Sequence, residues 1–473
     1  MRPFTFKDSA GNCYLYSCSK KRLLYICELL FELLNEYLNS GNIKENNKQY
    51  KSKSWDKALY KFNYYKEHGY FENIEIDLET QIESSSLENS LRNVRQVCFE
   101  VTQKCNLACV YCCYGDMYEH EGNDNHTEMS LQTALCFIDS LFNDQIRNMS
   151  SNKKITIGFY GGEPLLNFDL INKIVDYIQL KNNNQILQIQ YIMTTNAILL
   201  ERYIDFFVDH NFSIMVSMDG NYENSGFRIN KEHKNLFDKI FNNLSLIKKK
   251  YPEYFKTNIT FNSVIHSKNS IQEIVPFFKK EFDKIPQFSE VAPSFIRQEK
   301  ANLFKKIYKP ASLNYNDLKP YISTREYLQL DTYIKNIPIF FHRLLGLNIK
   351  KWGDLLYNYS NEKYAPSMCL PFSNKVFISA NGNLHLCEHI GYNYSIGHID
   401  IDNWKVVIDS KYLAQKYNEY FSMLKCSFCA EIITCDTCIF QKHMDCRPIN
   451  EKEFAKKVAM NIECLRQRNY YLK

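Results

Sequence analysis

The sequence predicts an α/β protein built on a parallel sheet, and three observations carry that expectation. Between about residues 95 and 300, strand-like runs alternate with runs of helical periodicity, the repeat that produces βα units. The first such run, Val97 to Val101, leads straight into a loop with closely spaced cysteines, CNLACVYC. Later runs end in GGEP and SMDG, at the carboxyl ends where a parallel sheet receives ligands.

Composition narrows the class. A chain of 473 residues suffices for roughly three domains and a large core. With 45% hydrophobic and 15% aromatic residues, wholesale disorder is excluded. Apolar runs such as Tyr25 to Leu34 and Ile337 to Ile349 are interrupted by Glu, His or Arg and are too short to span a bilayer. The opening MRPFTFKDSAG lacks the apolar core of a secretory signal, so a cytoplasmic location is expected. There, thiols stay reduced, and seventeen cysteines argue for ligation rather than disulfides. Eight of them follow residue 368 and none lies between Cys136 and Cys369, which is clustering. The formal charge of +5 neither requires nor excludes nucleic acid, and the expected partners include neither nucleic acid nor membrane.

At the amino terminus, Asn12 to Cys18 alternates as a strand and Ser19 can cap a following helix. Leu23, Cys27, Leu30, Leu34 and Leu38 then share one helical face, with Gly41 as the stop. Trp55 to His68 reads as a second helix with Leu59, Phe62 and Tyr65 inward and Gly69 just beyond it, while Leu78 to Asn93 reads as a linker. Further strands are expected at Ile155 to Tyr160, Leu187 to Thr194, Phe212 to Ser217, Asn258 to Ile265 and Val291 to Ile296. The helices between them include Ser130 to Asn143, Asp169 to Lys181, Leu199 to His210 and Leu236 to Tyr251.

The loops carry the chemistry. Cys105, Cys109 and Cys112 can hold three irons of a [4Fe–4S] cube and leave the fourth iron open to a reactant. A zinc loop or plain core cysteines is the alternative, although zinc loops usually show two CxxC pairs, and Cys113 competes for the third position. Gly161 and Gly162 allow close backbone approach to a ligand, and the Glu163 carboxylate can meet an ammonium group. Thr195-Asn196-Ala197 and Ser217-Met218-Asp219-Gly220 end the next two strands. Arg228 follows, either as a carboxylate fork or as a surface salt bridge.

Residues 300 to 365 suggest helices at Glu326 to Leu330 and Ile337 to Trp352. Beyond them stand Cys369, then Asn381-Gly382 as a hairpin turn between Val376 to Ser379 and Leu384 to Cys387. Cys426, Cys429, Cys435 and Cys438 follow in two CxxC pairs, with Cys446 and Cys464 beyond. Taken alone, those pairs also fit a zinc ribbon.

The cysteine loop, with aromatic Tyr111 before its last cysteine, resembles the radical S-adenosylmethionine (SAM) superfamily, and GGEP one βα unit later strengthens the resemblance. The resemblance implies a partial (β/α)6 TIM-like barrel in which the open iron chelates SAM. Reductive cleavage of SAM then yields a 5′-deoxyadenosyl radical that abstracts hydrogen. It places Cys105, Cys109 and Cys112 on the cube, with Cys113 a bystander. It also implies that Gly161, Gly162 and Glu163 hold the SAM amino group, and that Ser217 and Arg228 hold its carboxylate. Tyr111, Asn196 and Asp219 complete the cofactor-binding set. Ala197 departs from the family's TNG pattern, which touches only the turn.

The tail resembles the SPASM domain, with one x2 step where x3 is usual. That resemblance implies two auxiliary [4Fe–4S] clusters, one on Cys426, Cys429, Cys435 and Cys446, the other on Cys369, Cys387 and Cys438. Cys464 is an alternative last ligand or a buried bystander. The amino-terminal region resembles the winged-helix-like peptide-recognition module of peptide-modifying members, which binds a leader peptide as an added strand; a cap that merely packs on the core is the alternative. The expected division is residues 1–93 for recognition, 94–300 for the barrel, 301–365 as a bridge and 366–473 for SPASM.

Some members supply a fourth cluster cysteine in the neighbourhood of Asn361 to Met368, and this chain has none there. An open iron could then take a substrate thiolate. The expected activity is that of an oxidoreductase forming thioether crosslinks in a leader-bearing precursor peptide, of the sactipeptide or ranthipeptide kind. A flavodoxin or ferredoxin would supply electrons. Glu388, directly after Cys387, stands where a carboxylate in the anaerobic sulfatase maturases resembles a general base, with a solvated turn residue as the alternative, so formylglycine formation is the rival and carbon–carbon crosslinking a further one. A zinc-bound adaptor that recruits peptides is the rival from outside enzymology.

Overall fold

The computed structural model describes residues 1–43, 52–74, 83–92, 94–119, 126–147, 153–185, 187–293, 295–309, 340–341, 344–345, 375–388, 392–423, 429–431, 434 and 448–466. The chain forms two compact units, one of residues 1–81, 333–368 and 417–473, the other of residues 82–332 and 369–416. The hairpin that the sequence groups with the tail therefore belongs by contacts to the barrel's unit.

In the first unit, β1 (Phe4–Lys7), β2 (Cys13–Ser17) and β3 (Arg22–Ile26) form an antiparallel sheet in that order. The helix expected after Ser19 begins later. Lys21 turns the chain with φ +48°, and Arg22–Ile26 pairs residue for residue with β2. Alternation explains the difference, because Leu24 and Ile26 pack on one side of the sheet and Leu23 on the other. Helix α1 starts at Glu28 and runs to Ser40, with Cys27 rather than Ser19 at its N-cap; Gly41, at φ +78°, closes it as expected. Helix α2 (Lys53–Glu67) is capped by Ser52 and buries Ala58 and Phe62. Strand β2 is buried at every position because both faces of the sheet are covered. Leu30, Leu33, Leu34 and Phe62 pack on one face, and Phe454, Val458 and Ile462 of the closing helix Glu451–Arg466 pack on the other.

The second unit opens with α3 (Ser84–Arg92), in the segment that reads as a linker. Its Leu87 is buried and Leu91 stands one turn on, two apolar positions among polar residues and too few to announce a helix. A ten-stranded sheet follows. Six parallel strands lie side by side in chain order: β4 (Gln96–Thr102), β5 (Lys153–Gly161), β6 (Leu187–Thr195), β7 (Ser213–Ser217), β8 (Ile259–Ile265) and β9 (Gln287–Glu290). Helices α4 (Leu131–Arg147), α5 (Phe168–Lys181), α6 (Leu200–Asp209), α7 (Phe237–Lys250), α8 (Pro252–Asn258) and α9 (Ile271–Phe282) provide the crossovers, and α10 (Ala301–Ile307) follows β9.

The sixth strand lies just before its expected place. The edge strand is the more polar QFSE, while Val291, Ala292 and Ile296 leave the sheet and pack with Tyr111, Met117 and Tyr118 beside the cysteine loop. The apolar run marks that packing rather than the strand.

On the other edge, β10 (Lys375–Ile378) runs parallel to β4, with Phe377 opposite Cys98, and continues through β11 (Asn383–His385), β12 (Gly397–Asp400) and β13 (Lys405–Ile408) as an antiparallel meander. Gly382, at φ +79°, makes the turn expected at Asn381-Gly382. Among the described residues, no helix is long and apolar enough to cross a membrane. The expected helices at Glu326 to Leu330 and Ile337 to Trp352 lie wholly or mostly outside the described residues, as do Cys369, Cys426, Cys435, Cys438 and Cys446.

Candidate functional site

The carboxyl ends of β4 to β8 converge on the cysteine loop. Two main-chain bonds, Ala108 N to Ile229 O at 2.6 Å and Val110 N to Phe227 O at 3.0 Å, lay the loop against the segment carrying Arg228. Cys109 and Arg228 thereby face each other, with Nη1 4.0 Å from Cys109 Sγ.

The GGEP turn secures the other side. Gly162 N donates to Thr102 O at 2.9 Å and Glu163 N to Lys104 O at 2.8 Å. A Cβ on Gly161 would stand 2.0 Å from Thr102 O, and one on Gly162 2.3 Å from Lys104 O. The close approach that these glycines permit is therefore to the base of the cysteine loop, not only to a ligand.

Glu163 is almost wholly buried, and its carboxylate accepts from Leu165 N, Thr195 Oγ1 and Asn196 N at 3.1, 2.7 and 2.8 Å. Burial pushes its pKa up to about 7 against those three donors. Its oxygens thereby fasten β5 to β6. Asn196 extends the join, its Nδ2 lying 2.7 Å from Asn106 Oδ1 and 3.9 Å from Cys105 Sγ. Ala197, where the family pattern has glycine, takes φ +64°. Asn243 on α7 props that turn by donating to the carbonyls of Ala197 and Ile198.

Asp219, fully buried after β7, gathers the remaining elements. The Tyr111 hydroxyl donates to Oδ2, Arg228 Nη2 to Oδ1 at 3.2 Å and Val264 N to Oδ1 at 3.0 Å. Arg228 Nε lies 3.1 Å and His266 Nε2 3.5 Å from Oδ2. Burial is the largest influence and opposes the Asp219 charge, but Arg228, His266 and the Tyr111 hydroxyl together outweigh it and hold the carboxyl below the usual range. The surface salt bridge weighed for Arg228 is in fact a buried one, and its fork is turned to Asp219. Ser217 is half-buried at the end of β7.

Cys105, Cys109 and Cys112 line one cavity of about 510 Å³ with Gln103, Tyr114 and Gly162, and Lys231 and Lys300 also border it. Cys113 is not among its lining residues and pairs with Cys112. Burial pushes the Cys105 and Cys109 thiols up to about 12, so thiolates here require a cationic partner. Among the described residues, no three Cys, His, Asp or Glu side chains are placed to hold a single metal ion. A cube differs, because its three ligated irons are separate and need thiols spread around a cavity. N–H groups already approach two of the sulfurs, Leu107 N at 3.4 Å from Cys105 Sγ and Arg228 Nη1 at Cys109. This donor set fits a [4Fe–4S] cluster.

The family comparison points the same way: residues 99–280, from β4 to α9, match the radical SAM superfamily. That stretch of the chain is similar to radical SAM enzymes. That superfamily's cofactors are a [4Fe–4S] cluster and SAM, the pair expected from the loop. The chain is 23% identical over 384 residues to a cysteine-type anaerobic sulfatase-maturating enzyme of Clostridium novyi, covering 79% of this chain and 92% of that one. It is 25% identical over 179 residues to the radical SAM cyclopropyl synthase TigE of Paramaledivibacter caminithermalis, of which only 35% is covered. The solved structure of native anSMEcpe with bound AdoMet superposes with a TM-score of 0.53 at 18% identity, over 79% of this chain and 96% of that one. The chain thus shares the mostly parallel α/β fold of that neighbour and is similar in sequence to a sulfatase-maturating enzyme.

Other expected site residues are in view. Glu388, expected as a base, is held by Lys375 Nζ at 2.8 and 2.7 Å from its two carboxylate oxygens. Cys387 and Cys429 are half-buried, in different units of the chain, and Cys429 Sγ accepts from Ile449 N at 3.4 Å. Sequence reasoning missed His266, Lys375, Asn106 and Asn243. His266 and Asn243 sit in runs that read only as core, and Lys375 stands in a strand that gives charge no special meaning.

Proposed function

We propose that this chain is a radical SAM enzyme that matures a ribosomally made peptide by joining a cysteine sulfur to a carbon of an acceptor residue. The observation that carries the radical chemistry is the placement of Cys105, Cys109 and Cys112 around one cavity beside the GGEP backbone. When bound there, the cluster and SAM supply a hydrogen-abstracting 5′-deoxyadenosyl radical. The chain's own residues do the rest. The Gly161-Gly162 backbone and Ser217 meet SAM, Asn196 and Arg228 brace the sulfur ligands, and Tyr111 and Val291 pack in the apolar cluster beside the loop.

The auxiliary clusters, on Cys369, Cys387 and Cys438 and on Cys426, Cys429, Cys435 and Cys446, belong to this proposal, as does the division into recognition, barrel, bridge and SPASM segments. The three-stranded sheet supports a peptide partner. Among the described strands β3 is an edge, and Tyr25 on it is 68% exposed, as a strand that accepts a leader peptide requires. In the balance of the reaction, one hydrogen atom leaves the acceptor carbon to the nucleoside. The thiol proton would leave as the S–C bond forms, and the remaining electron would need an acceptor, the role an auxiliary cluster on the tail cysteines would supply.

A second reading has its own support. The match to the cysteine-type sulfatase-maturating enzyme covers 92% of that protein, which favours oxidation of a cysteine to formylglycine, with Glu388 as base. Mass spectrometry of a candidate precursor peptide, treated anaerobically with enzyme, SAM and dithionite, separates the two. Loss of two hydrogens with sulfur retained is the result expected. Loss of sulfur with gain of an aldehyde would replace the thioether reading by the second one.

A further inference from the structure

Asp219 is the most heavily engaged carboxylate at the site. Its two oxygens serve Tyr111 of the cysteine loop, Arg228, the Val264 amide and, at 3.5 Å, His266. Arg228 is 6% exposed, its guanidinium lies 5.6 Å from the Tyr111 ring centre, and its Nη1 faces Cys109 Sγ. The flanking main-chain bonds at Ala108 and Val110 fix the backbone on both sides of that contact. Arg228 therefore has one buried anion on one side and one expected ligand sulfur on the other.

On the reading that this loop carries a cluster, we propose that Asp219 is a positioning residue. It orients Arg228 against Cys109 Sγ, and the pair sets how readily the cluster accepts an electron. The physics is simple. A cation donating N–H to a ligand sulfur stabilises the reduced, more negative cluster and raises its potential, whereas a neighbouring carboxylate lowers it. Asp219 thus does two opposing things: it aims the cation and partly cancels its charge. Tyr111 and Val264, by donating to Asp219, keep the carboxylate from swinging toward the sulfur.

The arrangement predicts potential shifts of opposite sign, which loss of packing alone does not produce. The test is an anaerobic redox titration, followed by electron paramagnetic resonance, of protein loaded with iron and sulfide. Arg228→Gln is expected to lower the midpoint potential of the loop cluster, and Asp219→Asn, whose amide oxygen still accepts from Arg228 Nη2 while the carboxylate charge is gone, to raise it. Arg228→Lys keeps the charge but cannot face two carboxylate oxygens and a sulfur at once, so it should shift the potential as Arg228→Gln does, by less, at wild-type iron content. An unchanged potential in iron-loaded Arg228→Lys overturns the proposal, even if the other two variants do not fold. Shifts of the same sign in Arg228→Gln and Asp219→Asn overturn it as well. A wild-type protein that takes up no iron overturns the cofactor reading itself, and this proposal with it.

Discussion

Tyr111 donates its phenolic hydrogen to Asp219, so the residue that precedes the last loop cysteine is tied to the end of β7. Both are buried, and burial pushes the Tyr111 pKa well up, which keeps the phenol protonated as a donor. Tyr111→Phe leaves the ring in its apolar pocket but leaves Asp219 with one donor fewer. Denaturant unfolding of the metal-free protein should show a loss of about 1–3 kcal/mol. A neutral substitution would show that the bond contributes nothing to fastening the loop.

Asp219 and Arg228 form the other half of this join, with side chains 0% and 7% exposed. Breaking such a pair from one side leaves a buried charge uncompensated, at a cost of about 3–5 kcal/mol. Each single change, Asp219→Asn or Arg228→Gln, should therefore destabilise more than Tyr111→Phe. The double variant should be less unstable than the sum of the two. Strict additivity in a double-mutant cycle would contradict the pairing.

Glu163 gives the chain a pH dependence with a definite sign. Its carboxyl has an ordinary value of 4.5 and is pushed up to about 7 in the fold, so the native state binds its proton more tightly than the unfolded chain. Its contribution is fully present below about pH 4.5, falls as pH rises, and is lost above about pH 7, a change of about 3 kcal/mol. Comparing unfolding free energies of wild type and Glu163→Gln between pH 4 and 8 (roughly the window of that shift) should show their difference moving in Gln's favour as pH rises. A difference independent of pH would mean that the fold leaves the Glu163 carboxyl at its ordinary value.

Gly161 and Gly162 are predicted to be intolerant of alanine. The added methyl at either would collide with the Thr102 or Lys104 carbonyl, and Gly161 also stands at φ +138°. Backbone must shift, at a cost of about 1–3 kcal/mol or more, and the cysteine loop shifts with it. Reduced iron uptake in Gly162→Ala, beyond what its stability loss explains, is the expected reading.

Glu388 separates the two proposed reactions. Its carboxylate is engaged by Lys375 on both oxygens. If the enzyme forms thioethers, Glu388→Gln should leave 5′-deoxyadenosine release and crosslinking within about tenfold of wild type. If it makes formylglycine with Glu388 as base, product should fall by about 10²–10⁴-fold. Product analysis of this one variant distinguishes them.

Much of this architecture was legible in the sequence because its parallel strands alternate buried apolar residues with more polar ones, as at Ile155–Tyr160 and Leu187–Thr194. The departures have physical causes. Leu23 to Ile26 satisfies both helical and strand periods over so short a span, and the hairpin turn at Lys21 decided for the strand. Val291 to Ile296 is apolar because it packs on Tyr111 and Tyr118, not because it pairs. At the site, local motifs announced Cys105, Cys109, Cys112, Gly161 and Gly162. The partners of Asp219 come from β8 and from the loop beyond β7, a convergence that only the fold reveals.

The central claim is that Cys105, Cys109 and Cys112 together hold one cube that acts on SAM. The most direct test compares wild type with the Cys105→Ala, Cys109→Ala, Cys112→Ala triple variant after anaerobic loading with iron and sulfide, measuring iron per chain and 5′-deoxyadenosine released with dithionite and SAM. The account predicts about four fewer irons per chain in the triple variant and no nucleoside. Equal iron and undiminished nucleoside release in the two proteins would contradict it.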